Sequence, residues 1–453
     1  MRYTTPAFSI DDGAPFEHDI FDRKAYGEAL MNIASNSTDA LVISLDGRWG
    51  EGKTTFIKMW QRMLDEHNVP NIYIDAFAND YIDDAFISIA SAITGYAEKN
   101  IKRSKSIELK KLKENTKKVG GRLLSWSTRL AIKTATLGVI NNTDLDALES
   151  IKDNLSEDAS DLVGDYIEQR IYAHTKDIEV IESFKDYLST LPQKLQSKDT
   201  CHPLIIVIDE LDRCRPSFAV EIIEKTKHLF SVKNVVFMLV MNKTQLEESI
   251  KCVYGQNIDA HTYLQKFVHV DAKLPKNTRN SYHISDHERY IARLFAVHEL
   301  ETWDDTPYLS RCIKLLSEHF DLSLRQLEKV FTNIAIIYSS LNKNSIRIQP
   351  IITLVSMLKV SHPRIYNDLQ NRNITFKNLR HELKIPHYND FSEEFGWVFG
   401  WLEFSLISNH EYNGLPPDHD LRVFHRALSS HNLSRENIIP FYMNRLNLIA
   451  SSR

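Results

Sequence analysis

A chain of 453 residues is too long for one small domain and predicts two or three units. Apolar residues make up 43% and charged residues 25%, which is typical of a globular protein with a large buried core. The net charge of −5 gives no argument for binding of the whole chain to nucleic acid, so any such contact needs a local basic patch.

The cysteines and the apolar runs bear on the cellular compartment. Four scattered cysteines match no zinc pattern and indicate free thiols in a reducing environment. The amino-terminal stretch lacks the basic start and apolar run of a signal peptide. No uncharged apolar stretch of about 18 residues occurs, as a transmembrane helix would need. We therefore expect a cytoplasmic protein without a transmembrane segment.

The first hundred residues alternate helical and strand patterns. An irregular lead-in covers residues 1–20. The periodicity then predicts, in order, a helix over residues 21–36, a strand over Ala40–Asp46, a helix over Lys53–His67, a strand over Asn71–Ala78 and a helix over Asp83–Lys99. Residues 1–99 are therefore predicted to form the first part of an α/β core.

Residues 100–200 differ from the rest and predict a charged helical insert. Lys99–Arg122 carries ten Lys and Arg against two Glu, and Asp144–Glu168 carries nine Asp and Glu against one Lys. The basic stretch predicts either a contact with DNA or a partner, or a solvated helix face. Between them, Leu123–Ile140 is interrupted by an arginine and a lysine, which are costly at mid-bilayer. Leu123–Ile140 is therefore predicted not to span a membrane, and the alternative is a helix that lies on a membrane surface.

Strand and helix patterns return at Leu204. LIIVIDE is an apolar run closed by two acids, as expected for a strand covered on both faces. The elements that follow are a helix over Ser217–Phe230, a strand over Val235–Val240, a helix over Thr244–Tyr254 and a strand over Phe267–Leu274. This alternation predicts an α/β fold with a doubly wound parallel sheet. Residues 201–277 then complete the core, and 278–453 form a helical lid and C-terminal helical domain.

The segment Gly47–Thr54, GRWGEGKT, fits the phosphate-loop pattern G-x-x-x-x-G-K-[ST]. Glycines let the backbone turn tightly and approach phosphate oxygens, and the N–H groups at a helix start attract the anion. In this pattern Lys53 reaches the β- and γ-phosphates and Thr54 places its hydroxyl on Mg²⁺. The predicted nucleotide-binding residues are Gly47, Trp49, Gly50, Glu51, Gly52, Lys53, Thr54 and Thr55.

Two acids end the LIIVIDE strand. Asp209 is predicted to complete the magnesium site with Thr54, and Glu210 to activate the attacking water as a general base. ELDRCRP continues with Arg213 and Arg215, which either stabilise transition-state charge or form local ion pairs. The proline of this run is predicted to open the next helix.

Three further residues are candidates for the site. Asn242 ends the VVFMLVMN strand and either orients the lytic water or caps the next helix. Lys266 either faces the nucleotide or is solvated. SLRQ predicts a capping box, which places Arg325 in the first turn of a lid helix. Arg325 there either leans on the phosphates or is an ordinary surface arginine.

These motifs together resemble the KAP family of P-loop NTPases. The resemblance rests on SLDGRWGEGKTTF, YIDAFANDYIDDAFISI, LIIVIDELDRCRPSFAVEIIEKTKHLF and YLQKFVHVDAKLP, and covers about residues 15–350 outside the insert. It implies an additional-strand sheet of order 5-1-4-3-2, related to the AAA and STAND groups. It also implies that Lys53 and Thr54 bind phosphate and magnesium, that Asp209 and Glu210 carry hydrolysis, and that Arg325 is a second-sensor arginine.

The resemblance also frames the function. Many bacterial members resemble components of defence against phage, including Qat-type systems, and many carry transmembrane helices where this chain has its insert. We therefore expect a cytoplasmic ATPase with ATP and Mg²⁺ as cofactors, whose nucleotide state controls assembly with protein partners or a homo-oligomer in antiviral defence. The alternatives are an AAA-like motor that remodels protein or DNA and a non-hydrolysing scaffold. Glu210 counts against the scaffold, because a scaffold needs no base.

Overall fold

The computed structural model describes residues 1–5, 14–81, 85–101, 182–196, 202–226, 231–277, 284–385, 393–428, 431 and 433–448. The predicted basic stretch beyond residue 101, the apolar stretch Leu123–Ile140 and the acidic stretch Asp144–Glu168 lie outside these residues. What is described comprises a core built around a five-stranded sheet and a helical domain that follows it.

The core alternates helices and strands along the chain. Its elements are α1 (Lys24–Ser35), β1 (Leu41–Asp46), α2 (Lys53–Glu66), β2 (Asn71–Asp75), α3 (Ala85–Asn100), α4 (residues 182–195), β3 (Leu204–Asp209), α5 (Pro216–Thr226), β4 (Val235–Met241), α6 (Lys243–Tyr254), α7 (Ala260–Gln265) and β5 (Val270–Lys273). All strand pairs are parallel, and the order is β2-β3-β4-β1-β5. This order confirms the predicted 5-1-4-3-2 sheet.

Strand position in the sheet follows from strand composition. Every residue of β3 and β4 is buried, because helices cover both faces of the central strands. Alternate residues point to opposite faces. Val207 and Met238 pack on one face with α2, whereas Ile206 and Phe237 pack on the other with α3 and α5. The edge strand β5 is only half covered, and at Val270–Lys273 it is shorter than the predicted Phe267–Leu274.

The predicted second strand was too long at its carboxyl end. β2 ends at Asp75, and Phe77–Asn79 forms a 3₁₀ turn. The Asp75 carboxylate accepts a hydrogen bond from the Ala78 N–H at 2.8 Å, and this local bond bends the chain away from the sheet. The turn leaves the Phe77 side chain half exposed near the strand ends.

Helix α4 belongs to the packing of the sheet, although it lies within the predicted charged insert. Its side chains Phe184, Leu188 and Leu191 are buried in the hydrophobic cluster that also contains Ile206 and Phe237. The chain therefore returns to the core about twenty residues before β3 begins.

The helical domain follows β5. Its helices are α8 (Asp286–His298), α9 (Thr306–His319), α10 (Leu324–Ser339), α11 (Gln349–Ser361), α12 (Pro363–Gln370), α13 (Phe376–Glu382), α14 (Glu393–Leu406), α15 (Asn409–Asn413), α16 (Leu421–Leu428) and α17 (Ile438–Leu446). Residues 350–358 of α11 are all buried, so this helix forms the centre around which the others pack. Within the part of the chain the structure describes, no helix combines the length and apolar character needed to cross a bilayer.

The amino-terminal residues join the two units. Arg2 bonds through its N–H to the carbonyl of His298 at 2.7 Å, and the Thr332 hydroxyl donates to the carbonyl of Tyr3 at the same distance. Phe16, in contrast, packs in the core against Phe56 with ring centroids 5.7 Å apart. The chain thus starts on the helical domain before it enters the core.

Tyr442 provides a test of the packing in the helical domain. Its buried hydroxyl donates to the Ile346 carbonyl and accepts from the Ile348 N–H, both at 2.9 Å. We expect Tyr442→Phe to lower the free energy of unfolding by about 1–3 kcal/mol, because two buried backbone groups lose their partner. The exposed Tyr308 is the matched control, since Tyr308→Phe should change stability by less than about 0.5 kcal/mol. Equal effects in urea denaturation would contradict this account.

Candidate functional site

The loop between β1 and α2 has the backbone that an anion site needs. Gly50 and Gly52 have φ values of +80° and +87°, a region that other residues rarely adopt. α2 begins at Lys53 without a side-chain cap, so its first N–H groups are not used by a capping side chain. The helix N-terminus therefore presents donors and a favourable dipole at the mouth of the loop.

Lys53 lies inside this loop. Its side chain is almost buried, and its ammonium donates to the carbonyls of Gly47 at 2.5 Å and Arg48 at 3.4 Å. Burial lowers the pKa of Lys53, while the nearby carboxylates of Asp212 and Asp209 raise it. The lysine is thus held by loop carbonyls and surrounded by negative charge, a setting in which a phosphate can take the place of the carbonyls.

Asp209 is the buried carboxylate at the end of β3. It is 1% exposed and accepts hydrogen bonds from the Glu210 N–H at 2.7 Å, the Tyr73 hydroxyl at 3.1 Å and the Thr54 hydroxyl. Burial raises the pKa of Asp209, so a cation beside it would offset the cost of its charge. The structure brings Thr54 and Asp209 together, as the magnesium prediction requires.

Tyr73 was missed by the sequence analysis. It lies on β2, two residues before Asp75, and Asp75 is in register with Asp209 on β3. Tyr73 and Asp75 therefore share one face of the strand. The alternation in NIYID predicts that Tyr73 and Asp75 share a face. Only the pairing of β2 with β3 shows that the Tyr73 hydroxyl contacts the Asp209 carboxylate.

Glu210 follows in a strained conformation. Its φ of +62° lies in the left-handed region, which costs a residue with a side chain about 1–2 kcal/mol. Its carboxylate is mostly buried and pairs with Arg213 at 2.8 Å. Burial raises the pKa of Glu210, and the Arg213 charge opposes that rise. The strain turns the chain at once into the 3₁₀ turn Leu211–Arg213 and sets Glu210 beside Asp209.

The two arginines of the DELDRCRP run both make local ion pairs. Arg213 pairs with Glu210, and Arg215 pairs with Asp80 at 2.7 Å. The Arg215 N–H also donates to the Asp80 carboxylate at 2.9 Å. Pro216 opens α5 as predicted.

A cleft of about 700 Å³ opens beside the loop. It is lined by residues of the loop, of the turns after β2, β3 and β4, and of α10 with the segment before it, namely Arg48, Trp49, Phe77, Asp212, Arg213, Asn242, Asp321, Ser323, Arg325, Gln326 and Lys329. Asn242 caps α6, accepting the Gln245 N–H at 3.4 Å, and also lies at this cleft. Lys266 lies outside it, exposed at the end of α7 near the Tyr263 ring.

The helical domain docks directly on the loop. The predicted capping box at the start of α10 is confirmed, with Ser323 and Gln326 bonding reciprocally. The Arg325 N–H donates to the Gly50 carbonyl at 3.2 Å, and a Cβ on Gly50 would lie 2.7 Å from the Arg325 Cβ. Gly50 is therefore needed twice, for its φ and for this close approach. No carboxylate among the described residues pairs with the Arg325 guanidinium.

Charged side chains strengthen this docking. Arg48 contacts Asp321 with both terminal nitrogens, at 2.5 and 2.9 Å, and contacts Glu51 at 2.9 Å. Lys276 lies 3.0 Å from Asp321 and 3.7 Å from Glu51. Beneath them, Arg23 of the core forms a buried ion pair with Asp286 of α8 at 3.6 Å. Glu51, predicted to bind the cofactor, thus has its carboxylate engaged by Arg48 and Lys276.

No cluster of three or more His, Cys, Asp or Glu suited to a metal occurs in the described ranges. The donor set at Thr54 and Asp209 instead provides one hydroxyl and one carboxylate. This composition suits Mg²⁺, which takes one or two protein oxygens and completes its shell with waters and substrate phosphates.

Loop, buried acid and sheet order together define the chain as a P-loop NTPase. A model described as the KAP family P-loop domain matches residues 23–341, and the chain belongs to this family. An uncharacterised protein of Methanocaldococcus jannaschii is 30% identical over 185 residues, which cover 37% of this chain and 88% of that protein.

Two solved structures of the ORC2 protein of Aeropyrum pernix also align with the chain. The form with ADPNP and ADP has a TM-score of 0.35 at 13% identity, and the ADP form has 0.33 at 12%. Each alignment covers 98% of this chain and 97% of the other.

Substitution of Gly50 tests the close approach of the lid. We expect Gly50→Ala to lower the free energy of unfolding by about 1–3 kcal/mol, because its φ is positive and its Cβ collides with Arg325. Gly95→Ala in α3 is the matched control, since its Cβ meets nothing within 4 Å and Ala favours a helix. A stability loss shared by both variants in urea denaturation would refute this assignment.

Asp321 gives a pH-dependent test. The Arg48 guanidinium lowers the pKa of Asp321 to about 2. A lowered pKa means that the ion pair stabilises the fold above the unfolded pKa of about 4 and is lost as the pH falls towards 2. Asp321→Asn should therefore cost less than about 1 kcal/mol at pH 7, since the pair is exposed, and less still at pH 3. Denaturation of Asp321→Asn and of the exposed control Asp39→Asn at both pH values checks this, and a pH-independent difference would speak against it.

Proposed function

We propose that this protein binds ATP with Mg²⁺, hydrolyses it, and uses its nucleotide state to set the position of the helical lid for assembly with partner proteins. One observation carries the proposal. The lid helix α10 is hydrogen-bonded through Arg325 to Gly50, inside the phosphate loop itself. A ligand that orders this loop therefore acts directly on the attachment of the lid.

Phosphate binding follows from the loop. The uncapped N-terminus of α2 supplies N–H donors, and the Lys53 ammonium is poised to exchange the Gly47 and Arg48 carbonyls for phosphate oxygens. A phosphate there also offsets the burial that lowers the pKa of Lys53. Nothing in the loop reads the base, so the preference for adenine rests on family membership.

Thr54 and Asp209 are the residues that would hold Mg²⁺. The metal, when bound with the phosphates, neutralises their charge and orients them for in-line attack. The role of the chain is to hold the Thr54 hydroxyl oxygen and the Asp209 carboxylate oxygen in fixed positions. Tyr73 and the Glu210 N–H hold the Asp209 carboxylate in place through their hydrogen bonds, and Thr54 is fixed in the first turn of α2.

Glu210 is our candidate for the general base. It stands next to Asp209, and its mostly buried side chain has a pKa raised by burial, which makes the carboxylate a better proton acceptor. The ion pair with Arg213 restricts its orientation. In our proposal Glu210 takes the proton of the attacking water, while Arg213 keeps the carboxylate directed at the cleft.

The lid supplies the switch. Arg325 and Lys329 lie one helical turn apart on α10, and both line the cleft. Phosphates in the loop would attract these cations, while the ion pairs of Arg48 and Lys276 with Asp321 already hold the lid in its present position. The nucleotide can move the lid from this position to a second one only if it binds more tightly to the protein with the lid in the second position.

The biological setting we propose, antiviral defence in the cytoplasm with protein partners of the same system, rests on the resemblance to bacterial family members. Reduced phage resistance in cells whose native locus carries Lys53→Ala would support this setting. Unchanged plaque counts would refute the antiviral setting, whereas the proposal of ATP binding and hydrolysis would be unaffected.

The chemistry is tested by ATP turnover with Mg²⁺ for wild type, Lys53→Ala and Glu210→Gln. We expect Lys53→Ala to abolish binding, and Glu210→Gln to bind ATP while kcat falls by about 10²–10⁴-fold, because only the base is removed. The exposed residues Lys58 and Glu66 of α2 provide matched controls as Lys58→Ala and Glu66→Gln.

Solution mass of the same variants separates the functions. A monomer or dimer that recruits a partner only with ATP supports the switch. A closed ring stabilised by Glu210→Gln would replace it with the AAA-like motor. No turnover in wild type, with DNA or partners present, would refute the ATPase and favour a scaffold. DNA binding that falls steeply with salt would reveal an electrostatic contact such as Lys99–Arg122 could make.

A further inference from the structure

One hydrogen bond at the site has no part in the hydrolysis described above. The indole Nε1–H of Trp49, within the phosphate loop, donates to a carboxylate oxygen of Asp212, in the turn that follows Glu210. Trp49 is 44% exposed as a residue, whereas Asp212 is only 7% exposed. This bond ties the loop across the cleft to the segment that carries the acidic pair.

Asp212 lies close to Lys53, the lysine of the phosphate loop. Among the carboxylates that act on Lys53 it has the largest electrostatic effect, ahead of Asp209 and Asp46. It lines the cleft together with Asn242 and Arg325, and it is two residues from Glu210. In a phosphate loop the lysine reaches the β- and γ-phosphates, and the base stands beyond the γ-phosphate. Because Asp212 is two residues from Glu210, the last phosphate of a triphosphate would lie nearer to Asp212 than the last phosphate of a diphosphate.

We propose that Trp49 and Asp212 distinguish ATP from ADP, because the γ-phosphate repels the Asp212 carboxylate and breaks its hydrogen bond to Trp49. This inference rests on the proposed function, since it requires that the loop binds both nucleotides. Without nucleotide, or with ADP, the bond stays intact. With ATP, Lys53 turns to the phosphates, the γ-phosphate repels Asp212, and the indole is released towards solvent.

The position of Trp49 explains how this difference reaches the lid. Its two neighbours in the chain are both fastened to the helical domain, Arg48 by its side chain to Asp321 and Gly50 by its carbonyl to the Arg325 N–H. A shift of the Trp49 backbone would therefore displace both attachments. In our proposal, release of the indole shifts this backbone and so acts on the ion pair and on the main-chain hydrogen bond together, which couples the helical domain to the γ-phosphate.

The first test is the fluorescence of the full chain with ADP or with a non-hydrolysable β,γ-imido triphosphate, each with Mg²⁺. We expect the triphosphate analogue to change tryptophan emission and to increase quenching by acrylamide, and ADP to change neither. Trp49→Phe should abolish the difference, whereas Trp397→Phe, in the helical domain, should preserve it. Equal responses to the two nucleotides, or a response that survives in Trp49→Phe, would overturn the proposal.

The second test is affinity. Asp212→Asn removes the charge and keeps an oxygen that can accept the indole N–H. We expect it to increase affinity for the triphosphate analogue over ADP by about five- to tenfold, the effect of one like charge at close range. Asp46→Asn is the matched control, because Asp46 also acts on Lys53 but accepts its hydrogen bond from the Lys243 N–H. It should change the affinities for both nucleotides in parallel.

Calorimetry on the wild type separates the two proposals. If neither nucleotide binds, both the proposed function and this inference fail. If both bind and the affinity ratio is the same in wild type and Asp212→Asn, only the inference fails. Should Asp212→Asn fold poorly, the affinity ratio of Trp49→Phe decides, because loss of the indole donor must change discrimination between the nucleotides if the bond is the sensor. An unchanged ratio in Trp49→Phe refutes it.

Discussion

The main-chain hydrogen bond between Arg325 and Gly50 fixes the distance between the phosphate loop and the helical domain, and the rest of the site is arranged around it. Because Gly50 has no Cβ and a positive φ, the first turn of α10 can approach the loop backbone. That approach brings Arg325 and Lys329 to the cleft and places Asp321 within reach of Arg48. With any other residue at this position, the Cβ would collide with Arg325, and α10 would have to lie further from the phosphate loop.

The buried acid Asp209 shows a second kind of constraint. Three donors converge on a carboxylate that burial alone would make unfavourable, and they come from α2, β2 and the turn after β3. The carboxylate therefore depends on the sheet order, which places β2 beside β3. Fold and chemistry are joined at this residue.

The sequence was sufficient for whatever is local. The loop, the capping box of α10, Pro216 at the start of α5 and the apolar strands all follow from short-range patterns, and the sheet order followed from the family resemblance. It was not sufficient for contacts between distant segments. Tyr73 on Asp209 and Arg48 on Asp321 require knowledge of which surfaces meet, and neither residue belongs to a pattern that specifies its partner. The end of β2 was misplaced because one side-chain hydrogen bond, from Ala78 to Asp75, outweighed strand propensity.

The amino-terminal residues have a consequence for dividing the chain. In three dimensions, residues 1–5 belong with α8 and α10, since they cover the fully buried ring of His298 and accept the hydroxyl of Thr332. The helical domain is thus discontinuous in sequence, and a fragment that begins after β5 would expose an imidazole to water and leave its carbonyl without the Arg2 N–H. The core fragment would keep residues 1–5 without the helices that these residues contact. No single division of the chain therefore separates the core from the helical domain with all the contacts of each unit intact.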